Sequence, residues 1–331
     1  MLIIKNKLPF VIILAAFLFA LQGCTKTYEN NDTVKLAYFG DATDLPLITA
    51  YQEGYFEKEG VNVELVKVSH DDFSKDINSN KVDGGTCDYT VFKSVQTGTK
   101  IELGAGLGSK SIEILEKQDS SVDNISDLSG KNVGVLSLGD GNLIAAKALL
   151  SKNGIDLDSV KLTTIDKSKA EELLNKGDLD ALLIWQGDID EINYKVLYKT
   201  ELSSMNSMQG HSHHGNDYYY ATFAGLSQNM ATNAPQKSAA VLRAWIAGEN
   251  KVFKDKEGTL KKAIDNNLIN GNFDENNEII NKVMWMPSVS SAKDNIKSYI
   301  NIQKNLGIID KNTDEDEFYN RIFTELLPHW D

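Results

Sequence analysis

The sequence has two cysteines, Cys24 and Cys87, in 331 residues. A framework of several disulfides is excluded, and so is any multi-cysteine zinc or iron–sulfur site. The fold must therefore hold by its core. Positive charge is also short, with 34 Lys and Arg against 47 Asp and Glu and a formal net charge of −13. No basic run or stripe is available to meet phosphates, so nucleic acid is a poor partner. There is no HExxH, and no Ser–His–Asp pattern stands out.

The chain begins "MLIIKNKLPFVIILAAFLFALQGC". Lys5 and Lys7 form a positive head, and residues 8–21 are an apolar run too short for a comfortable membrane span. The run ends Leu21-Gln22-Gly23-Cys24, which resembles a bacterial lipobox, where the cysteine is lipidated and becomes the mature N-terminus. Residues 1–23 are then a signal peptide and 24–33 a polar tether. The mature protein is expected on the extracytoplasmic face of the cell membrane, anchored by lipid at Cys24. Cys87 is then left with no intrachain partner.

A long-period repeat organises the rest. Val34 and Val133, Gly40-Asp41 and Gly139-Asp140, and Val61 and Val160 keep one spacing, while Val82 and Leu179 are two residues closer. Each copy reads strand, Gly-Asp turn, helix ending at a glycine (Gly60, Gly154), strand, short helix, strand. Right-handed crossovers make each copy a parallel α/β lobe. Ligands bind beyond the carboxyl ends of such strands. The remainder is more helical, with "NAPQKSAAVLRAWIAGENKVF" predicted to start at an Asn233 cap. The simplest path returns to lobe one, crossing near residues 108–120 and 205–225. Lobe one is then 34–115 plus 220–331, and lobe two is 116–219.

"AYFGDATDLPLITAYQEGYFEKEGVNVELVKV", "DLSGKNVGVLSLGDGNLIAAKALLSKNGIDLDSVKL" and "KGDLDALLIWQ" resemble the nitrate/sulfonate/taurine/thiamine-precursor family of periplasmic binding proteins. The resemblance implies an α/β, two-lobed type 2 periplasmic-binding-protein fold with a hinge. It implies a monomeric receptor that takes a small molecule to the permease subunits of an ABC importer, without chemistry and without a cofactor. Carried over by position, it points to Gly40, Asp41, Asp44, Thr86, Cys87, Asp88, Ser137, Asp140, Asn142, Trp185 and Gln186 as ligand contacts. Fungal pyrimidine-precursor synthases share the fold, but their cysteine-rich iron motif is missing here. A sensory receptor passing occupancy to a membrane kinase is a further reading.

The candidate loops carry Asp41, Asp44, Asp88, Asp140 and Asp188 and no Arg or Lys. Acids beside Tyr89 and Trp185 suit a cationic or nitrogen-containing organic solute better than a simple anion. "GHSHHGND", residues 210–217, adds an alternative. His211, His213 and His214 are candidate ligands for a transition metal or metal chelate as the transported solute. His70 and His329 are expected at the surface.

Overall fold

The computed structural model describes residues 32–136, 140–186, 188–199, 219–328 and 330. Two sheets form where the repeat predicts two lobes. Lobe one opens with β1 (Val34–Tyr38), α1 (Leu45–Gln52), α2 (Tyr55–Lys58), β2 (Val63–Lys67), α3 (His70–Asn78), β3 (Gly84–Cys87) and α4 (Thr90–Gln96). β1 lies between β2 and β3 and is parallel to both. Val34, Leu36 and Ala37 are fully buried, as a strand covered on both faces requires. The helix expected between Asp41 and Gly60 is two helices. Gly54 breaks it with φ 67°, and Gly60 ends it with φ 74°, both left-handed values that favour glycine.

β4 (Ile101–Lys110) leads to the crossing at Ser111, and β5 (Ile112–Glu116) opens the second sheet. β6 (Asn132–Leu136), α5 (Asp140–Lys152), β7 (Lys161–Ile165), α6 (Lys167–Lys176), β8 (Ala181–Trp185) and β9 (Lys195–Lys199) complete lobe two. β6 lies between β7 and β8, parallel to both, and β5 is antiparallel between β8 and β9. Because β5 pairs in this sheet, lobe two begins at residue 112 and not at the expected 116.

The repeat recurs in hydrogen bonds. The Asp83 carboxylate accepts from the Lys35 amide at 2.9 Å, and Asp180 accepts from Asn132 at 2.8 Å. In return the Asp83 amide donates to the Lys35 carbonyl, and the Asp180 amide to that of Asn132. Both pairs are spaced like Val82 and Leu179. The strands therefore follow that spacing, and the wider one at Val34/Val133 does not mark equivalent strand positions.

The chain is back in sheet one at β10 (Tyr219–Tyr220) and β11 (Phe223–Ser227). Then come α7 (Gln228–Asn233), α8 (Pro235–Lys254), α9 (Lys256–Asp265), α10 (Phe273–Asn281), β12 (Met284–Ser288), α11 (Ser290–Asn305) and α12 (Glu315–Ile322). The sheet orders are β10-β4-β11-β3-β1-β2, with β12 also on β4, and β7-β6-β8-β5-β9. Asn233 is not the cap of the long helix. It ends α7, and Ala234 takes the cap position before Pro235. α5 of lobe two packs on α11 of lobe one. One apolar cluster runs through both, with Ile144 and Leu149 on one side and Ile296 and Ile300 on the other. No helix among the described residues is long and apolar enough to cross a membrane.

Candidate functional site

Between the lobes lies a cavity of about 650 Å³. Lobe one contributes Thr43 after β1, Asp88, Tyr89 and Thr90 after β3, and Lys93 from α4. Lobe two contributes Ile144 from α5 and Trp185 at the end of β8. Lys110, at the last position of β4 before the crossing, joins them from the hinge. A smaller compartment of about 140 Å³ opens beside it in lobe one, walled by Phe39, His70, Phe73, Thr86 and Cys87. The two share Thr43, Asp88, Thr90, Ser94 and Thr222.

The first loop is organised by Asp44. Its Oδ2 accepts from the amides of Phe39, Gly40 and Asp41 at 2.8, 2.9 and 3.2 Å. Burial pushes its carboxyl above the ordinary range, and these backbone donors and the Thr86 hydroxyl oppose the rise. Its carboxylate thus holds the loop and is not among the cavity walls, contrary to expectation. Gly40 is held by the chain, not by the cavity. It has φ 86°, and a Cβ there would stand 2.7 Å from Nδ2 of Asn270. Its carbonyl accepts from the Asn270 amide at 2.8 Å. Asp41 is turned to Nε2 of His70 at 2.8 Å, and the His70 ring stacks on Phe39 with centroids 4.0 Å apart. His70 is exposed, yet it forms the rim of the smaller compartment.

The loop after β3 does reach the cleft. Asp88 sits where the two compartments meet, and its Oδ1 accepts from the amide and hydroxyl of Thr90 at 2.8 and 2.6 Å. Thr86 and Cys87 line the smaller compartment only. Burial, with Asp88 adding to it, pushes the Cys87 thiol far up, so it is held as a thiol. Tyr89 packs edge-on against Tyr299 with centroids 5.1 Å apart.

In lobe two, Trp185 faces the cavity and Gln186 does not. Gln186 lines a separate opening of about 370 Å³, and its backbone N–H donates to the Ser111 carbonyl at 2.8 Å. Of Asp140 and Asn142 the helix backbone is described and the side chains are not. Ser137, Cys24, His211, His213, His214 and His329 lie outside the described residues. Among the described residues no group of three or more His, Cys, Asp or Glu is placed to hold a metal.

The candidate loops carry no Arg or Lys, but Lys110 and Lys93 bring cations to the cavity from β4 and α4. Lys110 Nζ lies 5.7 Å from the Trp185 ring centroid, within reach of a cation–π contact. Burial lowers its pKa, and the nearby Asp188 carboxylate works against that. Burial raises Asp188, with Lys110 as the main opposing influence. Lys110 was missed because β4 stands outside the repeat, although the predicted crossing region contained it. Thr222, Trp285 and Gln303 also line the cavity, all from the return segment, where the repeat gives no guide.

A family model described as NMT1/THI5 like matches residues 42–258. The chain belongs to this family. The match spans both lobes and the loops that form the cavity in this NMT1/THI5-like protein. The fold is that of periplasmic binding proteins. The periplasmic sulfonate-binding protein SsuA of Methylobacillus flagellatus is similar at 14% identity and TM-score 0.61, over 90% of this chain and 93% of that one. The aliphatic sulphonate binding protein SsuA of Escherichia coli is similar at 13% identity and TM-score 0.58, over 88% and 97%. The nitrate-binding protein NrtA of Synechocystis PCC 6803 follows at 12% identity and TM-score 0.50, over 88% and 86%.

Proposed function

We propose that this chain is an extracytoplasmic receptor, anchored by lipid at Cys24, that closes on a small organic solute and delivers it to an ABC importer. The single observation that carries this is the cavity itself. Its walls come from both lobes and from the strand that joins them, so a molecule inside is coupled to the angle between lobes. The family and fold support the reading. A receptor also fits the chemistry of the walls better than an enzyme does. Among the described residues the thiol near a histidine is Cys87, which is buried and protonated, and so is unsuited to nucleophilic work.

The solute class we favour is a flat, nitrogen-containing molecule, neutral or zwitterionic. Tyr89, Trp185 and Trp285 offer apolar faces, while Asp88, Lys93 and Lys110 offer charge of both signs. A plain cation is disfavoured by Lys110. A second reading is an organic anion of the sulfonate type, and the observation that favours it is again Lys110, a half-dry ammonium aimed at the cleft.

A thermal-shift screen of the mature chain tests the proposal with aminopyrimidines, polyamines, taurine, nitrate and divalent metals. A ligand that binds only the folded state adds ~2.7 kcal/mol at 100 times its Kd. The expected result is a shift with a nitrogenous ring compound that Trp185→Ala abolishes. A shift with metals alone, or one untouched by Trp185→Ala, contradicts it.

A further inference from the structure

The separate opening of about 370 Å³ adjoins the interlobe cavity, and Val283 and Trp285 wall both. Lys256 at the start of α9 and Lys282 at the end of α10 line it from lobe one, and Gln186 lines it from lobe two. Among the described residues no Asp or Glu lines it. This is the reverse of the chain as a whole, where 47 Asp and Glu outnumber 34 Lys and Arg. Met284 and Met286 add apolar faces. Such faces keep water away and so strengthen the attraction between charges beside them.

The Lys256 ammonium is placed at the wall. Its Nζ donates to the carbonyl of Val283 at 3.3 Å. An ammonium has three donors, and the other two have no partner among the described residues. Burial lowers the Lys256 pKa, and no neighbouring carboxylate opposes the shift. Lys110, by contrast, has Asp188 to support its charge. The acid just before Lys256 is already committed. Asp255 Oδ2 takes Lys251 Nζ at 2.8 Å, and its Oδ1 accepts from the Gly258 amide at 3.1 Å. Lys282 pairs with Glu278 one turn back at 2.8 Å, and Glu278 is 72% exposed. Such surface pairs contribute little, so Lys282 can turn to the opening at small cost. A partly dried ammonium without a counter-charge gains from any anion that supplies one.

We propose that this opening is a second ligand site, separate from the solute cavity, and that it holds a small doubly charged oxyanion such as sulfate or hydrogen phosphate. Lys256 supplies the anchoring charge and Lys282 the second. A dianion can engage both ammonium groups at once, where a monoanion such as nitrate engages one. The bonds formed are charge-assisted and therefore stronger than neutral ones. This site goes beyond the receptor reading and does not depend on which solute is carried.

The test is isothermal titration of the mature full chain with sodium sulfate and sodium phosphate at constant ionic strength, with sodium chloride as control. The expected result is saturable binding of sulfate or phosphate and not of chloride, weakened at least about tenfold in Lys256→Met. Lys261→Met removes an exposed lysine that pairs with Asp265 outside the opening, and it is expected to bind as the parent does. Lys256→Gln takes the place of Lys256→Met if the methionine variant does not fold. Equal binding by parent and Lys256→Met overturns the proposal, and so does the absence of saturable binding. Binding that falls with Lys110→Met but not with Lys256→Met puts the anion in the interlobe cavity and overturns it as well. The receptor reading stands or falls with the solute screen instead, so the two failures are separable.

Discussion

Glu249 offers a stability prediction whose size follows from its position. It lies on α8, is fully buried, and neither carboxylate oxygen has a hydrogen-bond partner among the described residues. Nor does the indole Nε1 of Trp245, one turn earlier on the same helix. Burial raises the Glu249 pKa well above the ordinary value, so the native state holds a proton that the unfolded chain releases near pH ~4.3. A raised native pKa means stability is highest below the unfolded value. It then falls as pH rises, by about 1.4 kcal/mol per pH unit, until the native pKa is passed. Glu249→Leu removes this slope. Urea unfolding of parent and variant at pH 5 and pH 7 measures it. The gap between them should grow by at least about 1 kcal/mol over that range in favour of the leucine variant. A gap that stays constant with pH refutes the reasoning, because Glu249 would then be ionised in the native state or already solvated.

Gly40→Ala should destabilise lobe one by about 1–2 kcal/mol, since φ 86° is left-handed and the new Cβ meets Asn270. Chemical unfolding measures the loss, and an unchanged midpoint contradicts it. Asp83→Asn and Asp180→Asn should each cost about 1 kcal/mol, because the amide oxygen still accepts the bond at a repeated strand junction but without its charge. Comparable losses in the two lobes are expected, and a loss in one alone would break the equivalence. Lys110→Met should raise the Asp188 pKa further by removing its main opposing charge. Carboxyl titration by NMR reads that directly, and an unmoved Asp188 refutes the pairing.

The parallel core of each lobe was legible because branched strands, Gly-Asp turns and glycine stops repeat along the chain. Trp185 and Asp88 could be placed near the cleft because they follow strand ends, where the sheet rule applies. Asp44 and Gly40 follow the same rule yet face the chain. A buried carboxylate gathering neighbouring amides looks, in sequence, like any acid in a loop. Lys110 and Gln303 were illegible for another reason. They reach the cavity from β4 and α11, brought there by antiparallel pairing and helix packing between residues far apart in the chain. Local pattern carries no trace of such contacts. The crossing at Ser111 was placed within a few residues, but the switch from one sheet to the next occupies a single position and so could not be fixed more closely.

The central claim is that the interlobe cavity holds the solute, and the most direct measurement is a crystal structure of the mature chain with the first ligand that shifts its melting temperature. The account predicts density between Trp185 and the Tyr89–Thr90 loop, in contact with both lobes. Density for that ligand in the opening lined by Gln186, or on one lobe's outer face, would contradict it.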